Sequence, residues 1–204
     1  MGEDVTMSSP SVARDLGIET VFQDLALCPH LDPVRNLYLG REVLKRGPLG
    51  WLGFMDNKMM REKSSDAFAD LGATVRALSV PVGDMSGGQK QSVAVARAAS
   101  WANKIIFLDE PTAGLDPIMC NIIYDMILKS VSELGATSFV ITSDMTGARR
   151  ISNKMAMLHE GRIGWQGTTA ELAEADHPEV KRFLESKSGR SGVLAACLVA
   201  ATPI

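Results

Sequence analysis

Four consecutive apolar residues, Ile105, Ile106, Phe107 and Leu108, run into an acidic pair, Asp109-Glu110, and then Pro111. A strand with one solvated face alternates apolar and polar residues, because successive side chains point to opposite faces. This run does not alternate. It predicts a strand covered on both faces, as in a parallel sheet packed between helices. "SFVIT", Ser138 to Thr142, predicts a second buried strand. Between the two, Pro117 to Leu134 sets Ile118, Ile122, Met126 and Ile127 at helical spacing, and Gly135 supplies the left-handed stop. Strand alternating with helix argues for an α/β core.

The flanking chain is read by the same rules. A short helix, Ser11 to Leu16, leads into a strand, Ile18 to Phe22, that ends at Gln23. In "LDPVRNLYLG", Asp32 is a good N-cap, Pro33 suits the first helical position and Gly40 the stop. "KRGPLGWLGF" reads as a loop, with Trp51 and Phe54 expected to tuck into a core. From Asn57 to Leu71, the residues Met60, Ala67, Phe68 and Leu71 share one helical face, closed by Gly72. The stretch after Gln23 is therefore mostly helical and reads as an inserted subdomain. Later, Glu160-Gly161 predicts a hairpin turn, Thr168 and Glu171 a capping box, and Pro178 the opening of a last helix. Past Lys187 the composition turns to Ser, Gly and Ala, and a poorly ordered tail is expected.

Composition narrows the classes. A chain of 204 residues is of a size for one domain, and 46% apolar with 22% charged residues is ordinary for a soluble globular protein. A net charge of -3 gives no reason to expect nucleic acid as a partner. Cys28, Cys120 and Cys197 are odd in number and far apart, which disfavours a disulfide framework or zinc site and makes a reducing cytosol the simplest compartment. The first residues, "MGEDVTMSSPSVARD", show no basic start or apolar run and do not read as a secretory signal. "VLAACLVAA", Val193 to Ala201, is shorter than the ~20 apolar residues a bilayer requires.

Two motifs carry chemistry. In "MSGGQKQ", Ser86 and Gln89 make a capping box, which by itself explains two residues of the motif. Gly87 and Gly88 add a helix N-terminus with bare backbone N–H groups, which an anionic phosphate can approach closely. In "IIFLDEP", Asp109 stands at the carboxyl end of a buried strand, where α/β sheets bind ligands. It is placed to hold Mg²⁺, and Glu110 to orient or deprotonate a water that attacks a phosphate. Two solvated carboxylates halted by a proline are the plainer reading of that pair alone.

Together, the Ser-Gly-Gly-Gln run, the strand ending in Asp-Glu-Pro, and "GLDP" at Gly114 to Pro117 resemble the ATP-binding subunits of ABC transporters. The resemblance extends from about Met7 to Lys187. It implies a P-loop-NTPase-like α/β nucleotide-binding domain with a helical subdomain. The expected division is the end of a first core segment in residues 1–23, the helical subdomain in 24–85, the remaining core in 86–187 and a disordered tail in 188–204. It also implies ATP and Mg²⁺ as ligands and Glu110 as the catalytic carboxylate. Gln23, Ser86, Gly87, Gly88, Gln89, Asp116 and Ser143 would be nucleotide-binding, with Asp109 and Gln23 reaching the metal. The implied partners are transmembrane permease subunits and a second ATP-binding subunit, with the chain peripheral on the cytoplasmic face of the membrane.

"ARDLGIETVFQDLALCPHLDPVRNLYLGRE" and "PLGWL" are similar to ATPases of ribose-, xylose- and fructose-type sugar importers. The stretch from "GLDPIMCNIIYD" to "MLHEGRI" is more similar to ATPases of lipid-trafficking importers. Two departures from the family pattern stand out. No Gly-Lys dipeptide occurs in the 204 residues, so the G-x-x-x-x-G-K-[ST] loop that cradles phosphates is missing from them. The chain resembles a family member cut from the front, which leaves the strand Ser138 to Thr142 with an expected unpaired apolar edge. Ser143 stands where the family usually has a histidine, and a serine hydroxyl can donate one hydrogen bond but carries no charge. The alternatives to an ATP-hydrolysing importer subunit are a non-catalytic subunit that lends its signature motif to a partner, and a gene fragment without function.

Overall fold

The computed structural model describes residues 4–73, 75, 77–178, 180–181 and 199–201. Its centre is a six-stranded sheet in the order β1-β2-β3-β6-β4-β5. β1 (Ile18–Val21), β2 (Ile105–Asp109) and β3 (Thr137–Ile141) run parallel, with Val21 beside Leu108 and Asp109 beside Ile141. Their carboxyl ends therefore share one edge, where Gln23, Asp109 and Ser143 emerge. β4 (Lys154–His159) and β5 (Arg162–Thr168) form the expected hairpin. Its turn residues Glu160 and Gly161 have φ of +48° and +76°, the left-handed pair of a tight hairpin turn.

The helices start where local chemistry says they should. α2 (Pro33–Tyr38) is capped by Asp32, α4 (Asn57–Leu71) by Asp56, α6 (Pro117–Ser132) by Asp116 and α7 (Met145–Ile151) by Asp144. Each cap carboxylate accepts an orphan N–H of the first turn. α5 (Gly87–Trp101) carries the full capping box between Ser86 and Gln89. Its residues Val93, Ala94, Val95, Ala96, Ala98 and Ala99 are all buried, so small side chains let it lie deep in the core. α1 (Pro10–Asp15) leads into β1, and α3 (Pro48–Trp51) is a single turn.

Four expectations need correction. First, β2 is not covered on both faces: Ile106 and Leu108 are buried, whereas Phe107 stays 39% exposed and stacks on Phe139 of β3 at 5.3 Å. Second, Trp51 is 90% exposed and Phe54 is also exposed. They lie on an arm whose backbone closes on itself, through Lys45 N–H to Phe54 O (2.8 Å) and Asp56 N–H to Val43 O (2.7 Å), so its apolar side chains point outward. Third, the buried stripe of α6 is Ile123, Tyr124, Met126, Ile127, Ser130 and Val131, while Ile118 in its first turn is exposed. Fourth, the second edge of β3 is paired. β6 (Val199–Ala201) lies antiparallel along it, inside the span expected to be a disordered tail. The rest of that tail, and most of the helix expected from Pro178, lie outside the described residues.

One buried side chain fixes the loop between β1 and α2. Asn36 is fully buried; it accepts from Cys28 N–H and donates to the carbonyls of Cys28, Leu31 and Asp32. These bonds give the turn before α2 partners that no strand or helix supplies.

Candidate functional site

The predicted residues gather in two groups. At the carboxyl edge of the sheet, Gln23 and Asp109 line one open cleft of about 660 Å³ together with Phe22, Asp24 and Ala26. Beside it, Glu110 is held by its own backbone and side chain. Its N–H donates to Ile141 O at 2.8 Å, while its carboxylate accepts from Ser143 N–H at 2.8 Å and from the Thr142 hydroxyl at 3.3 Å. Glu110 also has a φ of +44°, the left-handed region that costs an L-residue of order 1 kcal/mol or more. The bonds from the end of β3 hold it there. Ser143 thus touches Glu110 through its backbone N–H.

The loop after Gln23 is strained as well: Leu25 and Ala26 have φ of +65° and +44°. Arg97, from the middle of α5, reaches across and donates to Leu25 O (3.0 Å) and Ala26 O (2.8 Å). Sequence reasoning missed Arg97. A lone arginine among alanines on a core helix was the available signal, since such a residue must find acceptors where it emerges.

A polar chain supports the same edge from behind. The Tyr124 hydroxyl donates to Asp144 and lies 3.1 Å from the Thr112 hydroxyl, and the Asp144 N–H donates to Thr142 Oγ1 at 3.0 Å. Thr142 in turn donates to Glu110, so α6, α7 and the Glu110 carboxylate belong to one network. Burial, then the hydrogen bond to Asp144, pushes the Tyr124 phenol well above its ordinary 10.0. Tyr124 belongs to no local sequence pattern, because its partners are distant in sequence.

The second group is the start of α5. Ser86 and Gly87 are exposed, and a Cβ at Gly87 would meet nothing nearer than Leu115 at 3.9 Å. Gly88 is buried, and a Cβ there would fall 2.6 Å from Met119 Cε. A side chain at Gly88 would thus make the Met119 side chain of α6 shift, whereas Gly87 leaves the helix N-terminus open. Gln89 caps back to Ser86 N–H at 3.2 Å. Asp116 is engaged as the cap of α6, accepting from Ile118 and Met119 N–H at 3.0 and 3.1 Å. Among the described residues no hydrogen bond joins this group to the first.

Asp109 and Gln23 offer hard oxygen atoms on one cleft, the donor type that suits Mg²⁺. Among the described residues there is no cluster of three or more His, Cys, Asp or Glu side chains.

A mixed sheet whose parallel strands β1–β3 end at an acidic pair, with a glycine-opened helix start capped by serine beside it, is the α/β architecture of a cassette domain. Residues 2–113 match the family model for ABC transporters, and the chain belongs to that family. The Fructose import ATP-binding protein FrcA of Rhizobium meliloti is 36% identical over 80% of this chain and 62% of its own length. The Xylose/arabinose import ATP-binding protein XylG of Sulfolobus acidocaldarius is 34% identical over 79% of this chain and 62% of its own. The chain thus spans less than two thirds of the length of these curated relatives. Among solved structures, the ATP-binding cassette MJ0796, as a dimer in a post-hydrolysis state bound to ADP and Pi, superposes with a TM-score of 0.64. It is 25% identical and covers 80% of this chain and 68% of that one.

Proposed function

We propose that this chain is an ATP-binding component of an importer, with sugars as the transported class, and that it works paired with a second cassette. The observation that carries the reading is the start of α5: Ser86, its N-cap, and Gly87, the first residue of the 15-residue helix, are both exposed. An anionic phosphate is stabilised at such a helix end. The relatives named for fructose and for xylose or arabinose import support the substrate class. The solved dimer bound to ADP and Pi supports pairing around nucleotide.

The 204 residues contain no G-x-x-x-x-G-K-[ST] loop. In this reading a full cassette supplies the phosphate cradle and its lysine, and this chain closes over the phosphate with Ser86, Gly87 and Gly88, with Asp116 nearby. The helical segment 24–85, whose arm exposes Trp51, Leu52 and Phe54, is the part proposed to meet the permease at the cytoplasmic face. Among the described residues no helix is long and apolar enough to cross a membrane.

A second reading rests on the cleft. Gln23 and Asp109 would hold Mg²⁺ there, and Glu110, locked by Ser143 and Thr142, would orient a water toward a phosphate. The metal would supply charge neutralisation of the phosphate oxygens. The two readings separate by experiment. Mg-ATP binding to the chain alone that Asp109→Asn weakens favours the cleft. Binding that needs a second cassette, and that Ser86→Arg abolishes, favours the lid.

A further inference from the structure

Residues 44–55 carry Leu44, Leu49, Trp51, Leu52, Phe54 and Met55, and all of these large apolar side chains are exposed. Single exposed apolar residues are ordinary, but so many on one short arm mark a contact surface. The backbone of the arm is closed. Leu44 and Met55 form an antiparallel bridge at its base. Every N–H of residues 50–54 donates within the arm: Gly50 and Trp51 to Gly47 O, Leu52 to Pro48 O, Gly53 to Gly50 O and Phe54 to Leu49 O, at 2.9–3.3 Å. Gly50 is buried inside the bend, where a Cβ would fall 1.7 Å from Lys45 O. The main chain therefore fills the inside of the arm, and the apolar side chains are left outside.

The charges on the arm have one sign. Lys45 and Arg46 are exposed, and no acidic residue lies within residues 44–55. Glu42 and Asp56 flank the base and are engaged there, Glu42 accepting from Gly40 N–H and Asp56 from Met59 N–H, each at 3.0 Å. Lys45 lies near the base as well, where its N–H meets Phe54 O, whereas Trp51 and Leu52 belong to the turn α3 and its end.

We infer that the arm of residues 44–55 is an anchor on an anionic bilayer surface: Trp51, Leu52 and Phe54 enter the membrane–water boundary, and Lys45 and Arg46 lie against the headgroups. Tryptophan settles at that boundary, and lysine and arginine are drawn to anionic lipid. A turn whose N–H groups are already paired enters the headgroup region without leaving them unsatisfied. A protein partner would need a pocket matched to this tip; a bilayer needs only apolar side chains at the tip and cations behind them. The inference rests on the proposed placing of segment 24–85 at a membrane face, with the remainder of that segment left to the permease.

The test is co-sedimentation of the full chain with lipid vesicles, without permease or nucleotide. Phosphatidylcholine vesicles containing about one third phosphatidylserine should bind it about tenfold more tightly than phosphatidylcholine alone. The whole chain carries a net charge of -3, so that preference reports a local basic site. Trp51→Ser should weaken binding about tenfold. Lys45→Glu combined with Arg46→Glu should remove the preference for anionic vesicles. All three positions are exposed, and circular dichroism verifies that the variants keep the fold. A second readout needs no variant: lipids brominated on their acyl chains should quench the tryptophan emission of the native chain, in which Trp101 and Trp165 are half-buried and Trp51 is not. Equal binding to both vesicle types, binding that neither variant alters, or unquenched emission overturns the inference. Absence of binding to either vesicle overturns it too and assigns the arm to a protein partner. The importer reading then still stands, because it is judged by ATP-dependent pairing with a second cassette.

Discussion

The Ser143 backbone N–H donates to Glu110 Oε1 at 2.8 Å, tying the carboxylate at the end of β2 to the end of the neighbouring strand. Glu110 answers with its own N–H to Ile141 O at 2.8 Å. The side chain is held by backbone geometry, so its orientation depends on where β3 ends and not on which side chain stands at 143.

That relationship separates charge from position. Glu110→Gln keeps an acceptor for Ser143 N–H and should change unfolding stability by less than about 0.5 kcal/mol. Glu110→Ala leaves that N–H and the Thr142 hydroxyl without their acceptor and should cost about 1–2 kcal/mol. Urea unfolding of the two variants beside the native chain checks this. Equal stabilities would show that the bonds contribute nothing.

Tyr124 gives the fold a dependence on alkaline pH. Its phenol is held above 10.0 in the folded state, so the unfolded chain releases that proton first as pH rises. The stabilisation is fully present below about pH 10 and declines as pH rises beyond it. Tyr38 is also raised by burial and adds a smaller decline of the same sign. Tyr124→Phe should lower stability by about 1–3 kcal/mol at neutral pH, because Asp144 loses its donor, and should flatten most of the alkaline decline. Thermal melts between pH 8 and pH 11 would show an unaltered slope if the network is unimportant.

The two signature glycines should respond differently to alanine. Gly88→Ala places a Cβ 2.6 Å from Met119 Cε, so the Met119 side chain must move aside; it should be less favourable than Gly87→Ala by about 1 kcal/mol, and Met119→Ala should remove that difference. Gly87→Ala meets open space and should be neutral or slightly stabilising, since alanine is the better helix former. Chemical denaturation of the three variants tests the contrast.

Trp51 makes a further contrast with its own hydrophobicity. At 90% exposure, Trp51→Ser should leave the melting temperature within about a degree or two. A large loss would mean that the arm packs on the body of the protein.

The sequence carried what is local. Asp32-Pro33, Ser86 with Gln89, Asp116-Pro117 and Gly72 mark helix ends because caps and stops are settled within a few residues. Asp109-Glu110 was legible for the same reason, as the end of one strand. What escaped was set by distant partners. Arg97 acts on carbonyls more than 70 residues away, and Tyr124 meets Asp144 across two helices. The strand Val199–Ala201 has no sequence signal, because three residues carry no pattern of their own and gain a strand only from their neighbours β3 and β4. Trp51 and Phe54 were misplaced because hydrophobicity does not say whether an arm folds back or stands away.

The central claim is that the Ser86 end of α5 closes over a nucleotide phosphate held by a second cassette. The most direct measurement mixes the purified chain with a cassette from a relative that carries the G-x-x-x-x-G-K-[ST] loop, and follows Mg-ATP-dependent association by light scattering together with turnover. Association that appears only with ATP, with turnover about 100-fold lower for Ser86→Arg, is the predicted result, equivalent to losing one preorganised phosphate donor at about 3 kcal/mol. Identical association and turnover with native chain, with Ser86→Arg and with no added chain would contradict it.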